Sequence, residues 1–238
     1  MVYQVLNGDS LAHSFPPLEG EVIVVREGLV DGPVGGEDLW RTRADYIGVS
    51  PEAYRQKVVL EFEKMLRAPE GSTFHLWFEY DLFCQVNMWF VLSLLQGREV
   101  FAVYTTFLQP GNPYFWNGFG PADAQQLRYA YEHRVRFDEA DLRRGWDLWE
   151  AYRKGDLEGL RGLSENSASF PYLREVVQAH LERFPEGDGR PERVLREIMG
   201  TGPTDFDRVF AAFRKTESIY GFGDVQVRKL HDQVAGRS

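Results

Sequence analysis

FHLWFEYDLFCQVNMWFVLSLLQ, residues 74–96, decides how the rest of the chain is read. It opens as an apolar run of large and aromatic side chains, sets Glu79 and Asp81 in its middle, and resumes as an amphipathic helix from Leu82. Carboxylates are costly to bury without partners, so the apolar flanks place these two where a strand end opens onto a cleft. A buried parallel strand that hands polar residues to the start of a helix is where open α/β sheets keep their sites.

Working outward, the same pattern recurs. Residues 2–6 (VYQVL) form a short apolar strand that ends in Asn7-Gly8-Asp9-Ser10, where Gly8 permits a tight turn into a short helix. Residues 21–25 (EVIVV) form a second strand that ends in Arg26-Glu27, and residues 99–105 (EVFAVYT) a fourth, rich in β-branched and aromatic residues. Between them, 37–48 and 51–66 carry helical periodicity, and 109–120 (QPGNPYFWNGFG) is a turn-rich aromatic loop over the sheet's carboxyl edge. Strand–helix alternation predicts a Rossmann-like α/β fold, a mostly parallel sheet flanked by helices. After Pro121 the pattern is helical only: 122–133, 138–153, 156–163, 170–184, 191–199, 205–213 and 224–234. Trp146 and Trp149, three apart on one face, read as core. The polar stretch 164–169 is a candidate boundary. The expected division is an α/β domain over 1–120, a helical connector over 121–168 and a small helical, winged-helix-like module over 169–238.

Composition removes several function classes. A net charge of −9 over 238 residues argues against general affinity for nucleic acid or anionic membrane. No apolar run reaches the length of a membrane span, and no signal pattern opens the sequence. A single cysteine, Cys84, excludes an intrachain disulfide, and a cytoplasmic location is expected. Cys84 itself reads as a small buried side chain. The isolated histidines His13, His75, His133 and His180 lack metal-ligand spacing, so zinc is not expected. The oligomeric state is left open.

Parallel strands would bring the polar strand ends to one edge. Asp9, Ser10, Glu79 and Asp81 are the candidate catalytic residues. Asn7, Gly8, Arg26, Glu27, Arg43 and Gln85 are candidate ligand-binding residues, and Asp9, Glu79 and Asp81 candidate metal ligands. Grouped carboxylates raise each other's pKa unless a cation balances them, and a hard ion such as Mg²⁺ suits one or two of them. Arg26 and Arg43 would instead pair the acids or hold a phosphate. Three readings follow: a binder of a nucleotide or other phosphate-bearing ligand, a Mg²⁺- or Mn²⁺-dependent hydrolase or phosphotransferase, and a regulatory or adaptor protein whose polar cluster is structural.

Gly8-Asp9-Ser10-Leu11 also spells the signature of GDSL-type esterases. Those enzymes activate the serine with an Asp-x-x-His pair near the carboxyl terminus. Here His231 is followed by Asp232 and preceded at seven residues by Asp224, so that spacing is missing.

The strand ends together resemble a bacterial family known as domain of unknown function 1835. The segments that carry the resemblance are Leu6-Asn7-Gly8-Asp9-Ser10-Leu11-Ala12, Val25-Arg26-Glu27-Gly28-Leu29-Val30-Asp31-Gly32-Pro33, Trp40-Arg41-Thr42-Arg43 and Leu76-Trp77-Phe78-Glu79-Tyr80-Asp81-Leu82-Phe83-Cys84-Gln85. The likeness covers residues 2–108 well and the rest loosely. Many relatives carry His at the Tyr80 position and Asp at the Cys84 position. The resemblance implies a shared site and no particular reaction. The tail is similar too, with Leu181-Glu182-Arg183-Phe184-Pro185 closing a helix and Gly221-Phe222-Gly223-Asp224 opening the last one. Residues 190–238 hold nine Lys and Arg against seven Asp and Glu, a weak basic excess that favours a packing module over a DNA contact.

Overall fold

Apolar strands buried on both faces need helices on both sides, and the chain supplies them in order. The computed structural model describes residues 1–112, 114–165, 168–185, 187–202 and 205–236. Strand β1 (Val2–Asn7) leads into α1 (Asp9–Ser14), and β2 (Glu21–Val25) into α2 (Leu39–Ile47). Next come α3 (Pro51–Tyr54), a π-helical segment Arg55–Val59 and α4 (Leu60–Arg67), where a regular helix was expected. Then follow β3 (Thr73–Trp77), α5 (Leu82–Leu94), β4 (Glu99–Val103) and α6 (Ala124–Glu132). After β5 (Val135–Phe137) the elements are helical: α7 (Glu139–Lys154), α8 (Leu157–Ser164), α9 (Leu173–Leu181), α10 (Arg190–Thr201), α11 (Phe206–Thr216) and α12 (Asp224–Val234). In the polar stretch 164–169, residues 166 and 167 lie outside the described residues.

The strand order is β2-β1-β3-β4-β5, with β1 through β4 parallel and β5 antiparallel to β4. Residues alternate between the faces. Tyr3, Val5, Phe74, Leu76, Val100 and Ala102 enter the larger core under α5, whereas Leu6, Trp77 and Val103 meet Leu11, Leu127 and Ala130 on the other face.

Two expectations are corrected here. The helices-only pattern after Pro121 misses β5, which pairs Phe137 with Val100 and buries it at the edge of the sheet. Three residues are too few to show a period of two. The amphipathic helix from Leu82 is in fact buried nearly all round: Leu82, Val86, Met88, Trp89, Val91 and Leu92 are wholly enclosed. It lies between the sheet on one side and α7 and α9 on the other, so no solvent face is left for polar residues. The larger core runs on into the tail through Val209, Phe213, Tyr220 and Val227. Among the described residues the tail contains helices and the short 3₁₀ turn Ser218–Tyr220, with no strand.

Candidate functional site

The order of the sheet reverses between β1 and β3, so their carboxyl ends diverge and leave a crevice. A cavity of ≈ 350 Å³ opens there. Asn7, Glu79, Asp81 and Cys84 line it from the strand ends, and Phe210, Ser218 and Gly221 line it from the tail. Asn7 is the last residue of β1, and Gly8 at φ 91 turns the chain away into α1. Asp81 caps α5 by accepting a hydrogen bond from the Cys84 amide at 3.0 Å.

One ligand atom from each of Glu79, Asp81 and Cys84 lies within 4.8 Å of the others. The Cys84 thiol donates to Glu79 Oε2 at 3.0 Å, and Asn7 Nδ2 donates to the same sulfur at 3.0 Å. Glu79 Oε1 accepts the Phe119 amide at 3.2 Å. Burial raises the pKa of Glu79, and burial together with the neighbouring Glu79 charge pushes Asp81 up to about 7. Burial and the same two acids push the Cys84 thiol up, so it is held as a thiol rather than a nucleophilic thiolate. Among the described residues, no lysine or arginine forms an ion pair with either carboxylate.

Two glycines from distant segments press on the acids. Gly118 (φ 59) and Gly221 (φ 62) occupy the left-handed region, where a Cβ would overlap the Glu79 side chain and the Asp81 carboxylate respectively. The sequence repeats itself at both places, Gly118-Phe119-Gly120 and Gly221-Phe222-Gly223. That repeat is the signal that could have placed both loops at the site.

The remaining candidates fall into two further groups. Arg26 Nε bonds Asp9 Oδ1 at 2.9 Å in a partly exposed pair, which places Asp9 with Arg26 and apart from the Glu79–Asp81 group. Arg43 is 2% exposed and pairs with Glu27 through Nε and Nη2 at 3.0 and 2.9 Å. The Tyr54 hydroxyl donates to the same carboxylate, which together with burial raises the tyrosine pKa. Arg43 also donates to the carbonyls of Gly28, Asp31 and Pro33, so all its nitrogens are engaged within the protein. The expected role of Arg43 as a phosphate holder therefore lacks a free donor.

Arg43 is part of a larger device. Asn87 Nδ2 donates to the Glu27 carbonyl, Tyr152 to that of Leu29 and Arg183 to that of Val30. Side chains from α2, α5 and α7 and from just beyond α9 thus satisfy an irregular, largely buried segment that has no ladder of its own. Asn87 also donates to Asn7 Oδ1 at 2.8 Å, which ties this segment to the cavity floor. Gln85 supports the floor from beneath by donating to the Glu79 carbonyl at 2.8 Å. Ser10 lines the cavity, but among the described residues no histidine hydrogen-bonds to it. His231 sits on α12 beside Phe206 and Asp232, far from an esterase arrangement. Tyr80 packs among Tyr104, Phe115 and Tyr172, outside the cavity lining.

Sequence reasoning found the acids but missed Cys84, Asn87, Gly118 and Gly221 as parts of the site. Compared with known proteins, the chain matches no family model, no curated protein and no solved structure.

Proposed function

We propose that the protein binds a phosphate-bearing small molecule in the switch-point cavity through a divalent cation, Mg²⁺ or Mn²⁺, held by Glu79 and Asp81. One observation carries this reading: two neighbouring carboxyl groups line a ligand-sized cavity and have no basic partner among the described residues. Such a pair is stabilised by a cation or by protons, and hard oxygen ligands fit the ions named. A bound ion supplies the positive centre that phosphate oxygens require. The arginines first expected to do so are engaged elsewhere, Arg43 wholly and Arg26 with Asp9.

A hydrolase or phosphotransferase reading shares the same site, since an ion held by Glu79 and Asp81 would polarise a phosphoryl oxygen. The kinship with domain of unknown function 1835 belongs to the same proposal. Its support is that Asn7, Glu27, Glu79 and Asp81, all within the matching segments, gather at this edge of the sheet. An aspartate at the Cys84 position would place a third carboxylate beside Glu79. The helical tail fits a packing role, since α11 and the turn after it line the cavity.

Thermal melts with and without Mn²⁺ test the reading. At a Mn²⁺ concentration of 100 times Kd, binding stabilises by about 2.7 kcal/mol, a rise of roughly 5–10 °C for a chain of this size. Asp81→Asn should abolish the rise while leaving the apo protein folded. Equal melting temperatures for the wild type with and without the ion would overturn the cation.

A further inference from the structure

We infer that the ligand of this cavity is a nucleotide, its base lying against Phe83, Trp116 and Phe210 and its phosphate meeting Arg214. The inference rests on the function proposed above and deepens it by naming the ligand class.

Three aromatic side chains from separate segments line this one cavity: Phe83 from the first turn of α5, Trp116 from the 3₁₀ turn Phe115–Asn117, and Phe210 from α11. Each is only partly buried. Their ring partners lie elsewhere: Trp116 packs on Phe115 and Tyr172 at 5.0 and 5.9 Å, and Phe210 stacks on Phe206 at 5.9 Å. Among the described residues no ring pair joins the three to one another. A space lined by aromatic rings that do not pack on one another suits a flat π system, and every nucleobase presents one.

Arg214 is the independent observation. It lies one turn beyond Phe210 on α11 and lines the same cavity, where among the described residues it is the only Lys or Arg. Among the described residues it forms no ion pair, and its guanidinium rests 5.7 Å from the Phe210 ring. Arg26, Arg43 and Arg190, by contrast, each hold a carboxylate. An exposed, unpaired guanidinium offers the bidentate fork that phosphate takes. An inorganic anion would leave the rings unused, and a purely apolar ligand would leave the arginine unused. A nucleotide uses both.

Isothermal titration of the full chain in Mg²⁺ tests this with ADP, GDP, CDP and UDP against inorganic pyrophosphate. At least one nucleoside diphosphate should bind about tenfold or more tightly than pyrophosphate, as base stacking contributes. Trp116→Leu should remove that advantage. Phe210→Leu serves the same purpose if the tryptophan variant fails to fold, judged by near-ultraviolet circular dichroism. Arg214→Gln should weaken nucleotide and pyrophosphate alike by about tenfold and leave the Mn²⁺ affinity unchanged. The inference is overturned if no nucleotide exceeds pyrophosphate, or if the ring and arginine variants bind as the wild type does. Mn²⁺ binding at Asp81 with no nucleotide preference removes this inference alone. Nucleotide binding that persists without any divalent ion keeps the inference and removes the cation.

Discussion

Arg26 and Arg43 show how two arginines of similar sequence setting do different work. Both emerge near the carboxyl edge and both meet an acid, yet the Arg43 and Glu27 side chains are 2% and 1% exposed while those of Arg26 and Asp9 are 34% and 51% exposed. Removing one partner of a buried pair leaves a charge without water or counter-ion, at a cost of about 3–5 kcal/mol. Exposed pairs contribute roughly 0–1 kcal/mol because water and salt screen them. Urea unfolding should therefore show Arg43→Met destabilised by several kcal/mol and Arg26→Met nearly unchanged. A mild loss at Arg43 would mean that the irregular segment 27–33 holds without the five hydrogen bonds this arginine gives it. That segment has no strand or helix to satisfy it, so its side-chain donors set its shape.

At the scale of elements, the site is made by junctions: a strand end, a helix cap and two glycine turns. Gly221 and Gly97 are both left-handed, at φ 62 and φ 74, but only Gly221 faces something a Cβ would strike. Gly97→Ala should cost about 1–2 kcal/mol, the ordinary penalty of that backbone region. Gly221→Ala should cost more and should also weaken Mn²⁺ binding, because the added methyl displaces the Asp81 carboxylate. Thermal melts and Mn²⁺ titrations on the two variants separate backbone strain from damage to the site. The helix α5 behaves as a spine for these junctions. Asp81 begins it, Cys84 and Gln85 form its first turn, and Asn87 reaches back to both β1 and the segment after β2. The π-helical segment Arg55–Val59 buries Val58 and Val59 and offers the Lys57 carbonyl to Arg26 Nη1 at 3.3 Å.

For the molecule as a whole, buried titratable groups set opposing slopes of stability with pH. Burial, reinforced by Arg134, lowers the His75 pKa to about 4, and burial with Arg183 lowers His180 to about 3. Below pH 6.5 the unfolded chain gains protons that these folded imidazoles refuse, so stability falls as the pH drops from about 6.5 to 4. Each histidine contributes on the order of 3 kcal/mol over that window. Asp81 acts in the other direction. Its folded pKa of about 7 lies above its unfolded value, so it stabilises the apo protein fully below pH 4 and loses that stabilisation as pH rises to 7. Urea midpoints at several pH values should show His75→Phe gaining on the wild type toward pH 4, and Asp81→Asn gaining toward pH 8. Parallel curves for variant and wild type would mean that these groups are solvated in the folded state. No helix among the described residues is long and apolar enough to cross a membrane.

Residues 74–81 announced a strand ending in acids because a buried strand must be apolar and its polar end must open onto a cleft. The same rule exposed the ends of β1 and β2, and parallel pairing then brought them to a shared edge. That much is local pattern plus strand–helix alternation, and it is written in the sequence. The saturation of Arg43, the enclosure of α5, the three residues of β5 and the roofing of the cavity by α11 are of another kind. Each depends on groups separated by many residues: Arg183 reaches Val30 from a distance of 153 positions, and Lys229 reaches Asp31 from 198. Hydrogen-bond capacity and burial are properties of packed surroundings, so a sequence can name a donor but only the tertiary structure decides what it holds.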